Sequence, residues 1–135
     1  MIPISTKAGG TCFAFPDVCL VPTSGGPPVP TPFPNTAMCQ LADGSVSEVL
    51  IENAPVLVET SVIPTSSGDE PGTAGGVMSG TFRGCMKYRT ASGKVYAKGK
   101  RVALLGAVTA HNGDNANMPA GQQVAPSQTR VLASS

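Results

Sequence analysis

The sequence is poor in aromatic and charged side chains: its 135 residues include no Trp, four Phe and two Tyr, and only 13% are charged. The net charge of +1 gives no electrostatic footprint for nucleic acid or for an anionic membrane surface. No apolar run approaches the roughly 18 residues of a membrane-spanning helix. With 41% hydrophobic residues and so little charge, the composition also differs from that of disordered chains. These absences leave a small globular domain.

Glycine and proline are abundant, with 16 and 13 residues respectively. Both interrupt helices, so the composition excludes a helical bundle and favours a loop-rich, all-β fold. The length suits a single domain, which we place at residues 1–135, and is too short for two cores. Since no apolar signal segment precedes Lys7, we expect synthesis in the cytoplasm, where thiols stay reduced.

Alternating apolar residues and turn residues predict a series of short antiparallel strands. A hairpin is expected at 48–52 and 56–59, around the turn residues Asn53-Ala54-Pro55. In residues 82–89 the alternation puts Met86 and Tyr88 on one face and Cys85 on the other. Further strands are predicted at 94–98, 101–109 and 128–133, and loops at 64–80 and 110–123.

The first 36 residues show almost no periodicity and hold most of the prolines. In residues 27–34 proline alternates with small or apolar residues, which is typical of polyproline-like or edge-strand backbone. Such a segment can donate few hydrogen bonds to a sheet. We therefore expect an irregular N-terminal segment, residues 1–36, that packs on the hairpins or lies along an outer face.

A shift of 46 residues lays Val49 on Val95 and Val56 on Val102, with turn residues on turn residues. Residues 129–132 match the start of a third copy that stops after one strand. Two hairpins can match by chance, whereas a true repeat predicts a quasi-symmetric fold in which like hairpins lie side by side.

Four stretches of the sequence carry a resemblance that covers nearly the whole chain. They are Ser5–Gly10 with Cys12–Cys19, the proline run ending at Asn35, Ser66–Glu70 with the glycine-rich loop after it, and His111–Gly113 leading to Ala125–Thr129. Together they resemble the PAAR-like proteins that tip the spikes of contractile injection systems such as type VI secretion, in the branch called Tox-PAAR-like.

The resemblance implies a conical domain of short β-hairpins in a pseudo-threefold arrangement. Its broad base would sit on a trimeric VgrG-like spike, one tip per trimer, and its narrow end would be held by zinc. The implied function is to sharpen the spike for membrane puncture and to aid effector delivery. The chain would be a free monomer that assembles in the cytoplasm and is then translocated. We expect the apolar hairpin face of Val49, Ile51, Val56 and Val58 to dock on the spike, and we expect no fused effector domain.

The commonest PAAR pattern uses several His and one Cys for its metal, whereas this chain has a single His. Either cysteines replace the missing ligands, or the site differs or is absent; of these we favour the first and expect one structural zinc ion held by Cys12, Cys19 and His111. Cys39 and Cys85 are alternatives for a fourth ligand. The competing interpretations are an exposed loop histidine, buried cysteines that only pack, and a Cys12–Cys19 disulfide formed after delivery.

Two other functions stay open at this stage. The first is an adaptor that recruits effectors through residues 27–34 or 71–80. The second is a small cysteine hydrolase that uses Cys12 and His111, but the sequence has no recognisable nucleophile motif. The adjacent carboxylates Asp69 and Glu70 are read as a turn-stabilising or solvated pair rather than an acid–base site. We therefore expect no enzymatic activity.

Overall fold

Short antiparallel strands make up most of the regular structure in a computed structural model that describes residues 1–134. The strands are β1 (Ile2–Pro3), β2 (Thr11–Thr23), β3 (Gly26–Met38), β4 (Val46–Ile51), β5 (Ala54–Val56), β6 (Val62–Ile63), β7 (Met86–Tyr88), β8 (Tyr96–Ala97), β9 (Lys100–Arg101), β10 (Val108–His111), β11 (Met118–Ala125) and β12 (Leu132–Ala133). The predicted all-β class is confirmed. Residues 1–134 contain no helix with the length and apolar character needed to cross a membrane.

The strands form one large sheet and three small ones. The large sheet has six antiparallel strands in the order β3-β2-β11-β10-β7-β6. The small sheets are the pairs β4–β5, β8–β9 and β1–β12. The first two are hairpins of consecutive strands, β4–β5 with a register shift between Val46 and Leu50, whereas the third joins the two ends of the chain.

The three small sheets surround a pseudo-threefold axis, marked by two closed rings of backbone hydrogen bonds. In the first ring, Leu57 donates to Ser5 (2.9 Å), Ser5 to Ala103 (2.8 Å) and Ala103 to Leu57 (2.9 Å). In the second, Lys7 donates to Pro55 (3.0 Å), Glu59 to Arg101 (2.8 Å) and Leu105 to Pro3 (2.9 Å). The first ring closes through the same three residues and the second closes at the level of segments, so the segments 3–7, 55–59 and 101–105 bond cyclically. The 46-residue repeat is therefore a true structural repeat, since 57 and 103 are equivalent.

The third copy of the repeat is completed by the N-terminus. β12 supplies its first strand and β1 its second, paired through Ile2 and Ala133. Contacts between neighbouring units follow the same cycle: Glu52 pairs with Arg130 at 3.4 Å, and Lys98 pairs with Glu48 at 3.0 Å. The two ion pairs are equivalent: Lys98 takes the position of Glu52 and Glu48 takes the position of Arg130, so the acidic and basic partners are exchanged. Between the second and third units, Ser92 donates a hydrogen bond to the carbonyl of Ser134.

Apolar side chains form two clusters along the molecule. The first fills the threefold unit and contains Ile51, Val56 and Val58. These three side chains are buried, so the predicted docking face does not reach the surface, and only Val49 of that set is exposed. The second cluster lies under the large sheet and is made of Cys12, Ala37, Cys39, Ala42, Leu57, Ile63, Met86, Tyr88, Ala103 and Ala107.

The N-terminal segment is more regular than predicted. Strands β2 and β3 pair along most of their length to form a two-stranded ribbon, whose outer part, residues 22–30, is exposed. The edge-strand alternative for the prolines is therefore the one observed. Hydrophobic periodicity missed the ribbon because its outer part has no buried face.

Three prolines occupy the open edge of this ribbon. Thr36 uses its N–H to bond Ser67 on the side away from β2, and the even-numbered residues of β3 share that direction. Positions 30, 32 and 34 on the same side are all proline, so the nitrogens that face outward along this stretch carry no hydrogen. The edge therefore cannot template another strand.

Replacing Pro30 and Pro32 together by alanine should make the protein self-associate. The change restores two outward N–H groups on an exposed edge without altering the bonds to β2. We expect concentration-dependent oligomers in sedimentation velocity, with the monomer fold retained. Pro71→Ala, which removes a proline from a loop, should remain monomeric. A double variant that stays monomeric at every concentration contradicts this account of the edge.

Several further boundaries differ from the sequence predictions. The strand predicted at 101–109 is divided between β9 and β10, and the first hairpin turns at Glu52-Asn53, because Ala54 and Pro55 belong to β5. The strand expected at 82–89 shrinks to β7, because the Arg83 N–H turns away to bond the carboxylate of Asp69. The predicted loop at 110–123 contains most of β11, which pairs with β2 and β10. The alternation of Met86 and Tyr88 into the core is confirmed.

Candidate functional site

Two carboxylates and a thiol meet beneath the ribbon. Asp17 and Cys19 lie on β2, and Asp69 lies in the loop that precedes β7; all three are buried, with one ligand atom of each within 4.8 Å of the others. The Sγ of Cys19 lies 3.6 Å from Oδ1 of Asp17 and 3.8 Å from Oδ2 of Asp69. We call these three residues the acid–thiol cluster.

Local sequence explains how the cluster forms. Asp17 and Cys19 are two residues apart on one strand, so both side chains point to the same face. The glycine-rich loop closes over them because it lacks side chains: a Cβ at Gly72 would lie 2.3 Å from Cβ of Cys19, and one at Gly76 would lie 2.4 Å from the amide of Asn117. Glycine is therefore required here for close packing.

Side-chain amides surround the two carboxylates. Asn112 and Asn117 both donate to Oδ1 of Asp17, and Asn35 donates to Oδ2 of Asp17 and Oδ2 of Asp69. The backbone N–H of Arg83 adds a donor for Asp69 at 3.0 Å. No buried side-chain N or O atom of residues 1–134 lacks a partner. The network is internally complete, as buried polar groups require.

The cluster holds two acids without a cationic side chain. No Lys or Arg of residues 1–134 forms an ion pair with Asp17 or Asp69. Burial, together with the hydrogen bond and charge of Asp17, raises the pKa of Asp69 to about 7. Burial and the two neighbouring carboxylates raise the pKa of the Cys19 thiol to about 12. A positive charge placed between these groups would reverse both shifts.

The donor set is compatible with a metal ion. Tetrahedral zinc, with bonds of about 2.3 Å to sulfur and 2.0–2.2 Å to oxygen, places those ligand atoms about 3.5 Å apart. The two S···O separations in the cluster, 3.6 and 3.8 Å, are close to that value. Cys19 and the two aspartates could therefore hold one small divalent cation.

The three ligands expected from sequence do not meet. Cys19 is in the acid–thiol cluster, but Cys12 lies in the apolar cluster, where its Sγ is 4.0 Å from Oη of Tyr88. Cys39 lies 3.5 Å from the same hydroxyl, and a hydrogen bond from the Cys12 thiol lowers the pKa of Cys39. His111 reaches the acid–thiol cluster only through Asn35. Cys85 is half-buried and contacts Asp114 at 3.8 Å.

The sequence analysis did not identify the two aspartates, Asp17 and Asp69, or the three asparagines, Asn35, Asn112 and Asn117, as site residues. Asp69 is buried, whereas its neighbour Glu70 is exposed and only accepts a hydrogen bond from Gly68, so the solvated interpretation holds for one of the two. The sequence did contain a signal for the site, because most of its buried polar residues lie within the stretches that carry the family resemblance. These residues are Asp17, Cys19, Asn35, Ser66, Asp69, His111 and Asn112. Their common burial explains why those stretches are distinctive.

His111 should give the protein an acid-sensitive stability. Burial lowers its pKa to about 4, with the charge of Asp17 opposing this in part. As pH falls from about 6.5 to about 4, the unfolded chain binds a proton that the folded chain does not, so about 3 kcal/mol of stability is lost. His111→Gln lacks this loss.

The measurement is the free energy of unfolding of both proteins in urea at several pH values. The stability advantage of the wild type over His111→Gln should shrink steadily between pH 6.5 and 4. Because the pKa of Asp69 is raised, its protonation adds stability as the pH falls. This contribution is present in both proteins, so it largely cancels in the difference between their free energies of unfolding. A difference that stays constant over this range would show that His111 is not held neutral by burial.

Comparison with known proteins gives one family and one curated relative. A family model described as Tox-PAAR-like, toxin PAAR-like domain, matches residues 10–119. The DNase toxin Tse7 of Pseudomonas aeruginosa strain PAO1 is 33% identical over 131 residues, which cover 91% of this chain and 33% of that protein. The chain thus spans about a third of the length of this relative. No solved structure matches.

Proposed function

The chain belongs to the Tox-PAAR-like family of toxin PAAR-like domains, and on that premise we propose that it is a structural tip for a trimeric, VgrG-like spike. In this role it caps the spike of a contractile injection system of the type VI secretion kind, sharpens it for membrane puncture and aids effector delivery. The observation that carries the proposal is the pair of closed hydrogen-bond rings. A single chain with a threefold axis can present three like surfaces to three identical subunits.

Equivalent exposed residues on the three small sheets support this docking. Each sheet carries a large apolar residue that directly follows a valine, in the pairs Val49-Leu50, Val95-Tyr96 and Val131-Leu132. The exposed fractions of Leu50, Tyr96 and Leu132 are 54%, 58% and 40%. The next residue along each strand, Ile51, Ala97 or Ala133, is buried in the threefold cluster. We propose that Leu50, Tyr96 and Leu132, which we call the docking triad, contact the spike.

The ribbon supplies the opposite end. Along β2 the contacts pass from the apolar cluster at Cys12 to the acid–thiol cluster at Asp17 and Cys19, and then to exposed residues from Pro22 onward. No charged residue lies between Asp17 and Asp43. A narrow, uncharged ribbon suits an apex that must enter a membrane, because few charges have to leave water.

We further propose that the expected zinc ion is held by Asp17, Cys19 and Asp69 rather than by the set Cys12, Cys19 and His111. Bound there, the ion would supply structural cross-linking rather than reaction chemistry. It would tie strand β2 to the loop that precedes β7, beside the start of the exposed ribbon. Splaying the ribbon would then require ligand exchange.

The remaining parts of the proposal concern transport and chemistry. We propose that the chain is loaded onto the spike in the cytoplasm, travels with it and is released into the target. The DNase activity in the name of Tse7 is stated of a protein about three times as long, so it does not by itself assign an activity to this chain. For this chain we propose a non-enzymatic role.

A second function, recruitment of effector cargo, is favoured by one observation. The outer face of the large sheet exposes an apolar group that is separate from the docking triad: Phe13, Phe15, Met38, Val108 and Val124. Phe13 and Val108 flank Gln122 of β11 on neighbouring strands. An exposed patch of this kind is typical of an interaction surface, and an effector bound there would leave the docking triad free.

Native mass spectrometry of the chain, co-expressed with the spike protein encoded nearest its gene, tests the proposal. We expect one copy of the chain with three spike subunits, heavier than the protein sum by one zinc ion. A free chain beside an intact spike trimer overturns the tip assignment for that pair. A one-to-three complex without extra mass overturns the zinc part alone.

A further inference from the structure

His111 is the one histidine of the sequence, and both of its ring nitrogens have partners inside the protein. Nδ1 lies 2.7 Å from Oδ1 of Asn35, and Nε2 lies 2.7 Å from Oγ1 of Thr109. All three residues are completely buried. A Cβ at Gly121 would lie 2.6 Å from Cδ2 of the imidazole, so bare backbone on β11 leaves the ring its space.

The two carboxylates determine the direction of these bonds. Nδ2 of Asn35 lies 3.2 Å from Oδ2 of Asp17 and 3.3 Å from Oδ2 of Asp69. A flipped amide would turn its oxygen toward the carboxylate of Asp17 and toward Oγ of Ser66, which lies 3.0 Å from Nδ2 and already donates its own hydrogen to the carbonyl of Gly84, so Nδ2 must face them and Oδ1 must face His111. An amide oxygen only accepts, and Nδ1 therefore carries the hydrogen. In a neutral ring, Nε2 then accepts the hydroxyl hydrogen of Thr109.

We infer that His111 is not a metal ligand but a positioning residue, which holds Asn35 in the orientation that binds both carboxylates of the acid–thiol cluster. The inference rests on the proposed function only in taking that cluster as the metal site. The chain of hydrogen bonds from Thr109 to Asp17 and Asp69 exists without an ion. Histidine suits the position because a neutral imidazole donates at one nitrogen and accepts at the other, so the ring aligns two polar side chains at once.

The single histidine makes the first test unambiguous. A long-range ¹H–¹⁵N spectrum of the untagged protein at neutral pH contains one imidazole. We expect a protonated Nδ1 and an unprotonated Nε2, with the pattern unchanged after one equivalent of Zn²⁺ is added. A protonated Nε2, or a ring nitrogen whose resonance moves to a metal-bound position with Zn²⁺, overturns the inference.

Cobalt(II) gives a second readout, because a bond between Co²⁺ and the Cys19 thiolate absorbs light. His111→Phe keeps a planar aromatic ring, somewhat larger than imidazole, but loses the donor to Asn35. We expect about a 10–100-fold weaker Co²⁺ affinity, as for other residues that orient metal ligands, with the thiolate band at its original wavelength. His111→Gln, whose amide can still donate to Asn35, should recover most of the affinity, and Cys19→Ser should lose the band.

The outcomes separate the inference from the proposed function. A His111→Phe variant that binds Co²⁺ as tightly as the wild type, or whose band changes as for a lost ligand, overturns the positioning role. If the wild type binds neither Zn²⁺ nor Co²⁺, the zinc part of the proposed function fails. The nitrogen spectrum of the metal-free protein then decides the inference by itself.

Discussion

Asn117→Asp should destabilise the protein by about 3–5 kcal/mol at neutral pH, although it exchanges only an NH₂ group for an oxygen. In the native protein Nδ2 of Asn117 donates to the carboxylate of Asp17 and to the carbonyl of Val18, the latter at 2.8 Å. The variant removes both bonds and places a third carboxylate in a buried cluster that has no cationic side chain among residues 1–134. The measurement is the free energy of unfolding in guanidinium chloride.

Asn115→Asp is the matched control, because it makes the same chemical change two residues away on the surface. Asn115 is exposed, and its side chain donates only to the carbonyl of Met78 at 3.1 Å. We expect this control to lose no more than about 1 kcal/mol. Equal destabilisation of the two variants would contradict a closed, charge-sensitive cluster around Asp17.

The fold was predictable from the sequence wherever a strand pairs with the strand next to it in the chain. The two internal hairpins repeat at a spacing of 46 residues, and the sequence shows them because each strand pairs with its neighbour across a short turn. The third unit was only half visible. Its second strand is β1, at the far end of the chain, so no constant spacing joins it to β12. A linear search for repeats cannot detect a unit that closes through the termini.

The ribbon and the site were hidden for a different physical reason. Periodicity detects side chains that alternate between core and solvent, whereas the outer ribbon is exposed on both faces and the site is polar and buried. Asp17 and Asp69 look like surface residues in the sequence, because burying a carboxylate is unfavourable unless several donors converge on it. Those donors come from distant positions, Asn35, Asn112 and Asn117. Only the family resemblance marked most of these positions together, since it reflects the folded arrangement rather than local pattern.

Replacing the three residues of the docking triad by aspartate should abolish binding to the trimeric spike. Leu50, Tyr96 and Leu132 each project a large exposed side chain from an equivalent position on one of the three small sheets. A charge at a buried interface position typically weakens binding by at least about 2 kcal/mol, or roughly 30-fold. Each single variant should therefore weaken the complex by a similar factor, and the triple variant should show no complex in calorimetry with the purified spike trimer.

Similar losses of spike affinity at three positions far apart in sequence are the diagnostic result, because the three residues make equivalent contacts only in a threefold complex. Val29→Asp is the control: its side chain is 49% exposed, comparable to the triad, but it lies on the ribbon at the proposed free end. This variant should bind the spike as the wild type does, and all four single variants should keep the melting temperature of the wild type within a few degrees. If Val29→Asp abolishes binding while the triad variants retain it, the ribbon is the docking end and the proposed orientation on the spike is reversed.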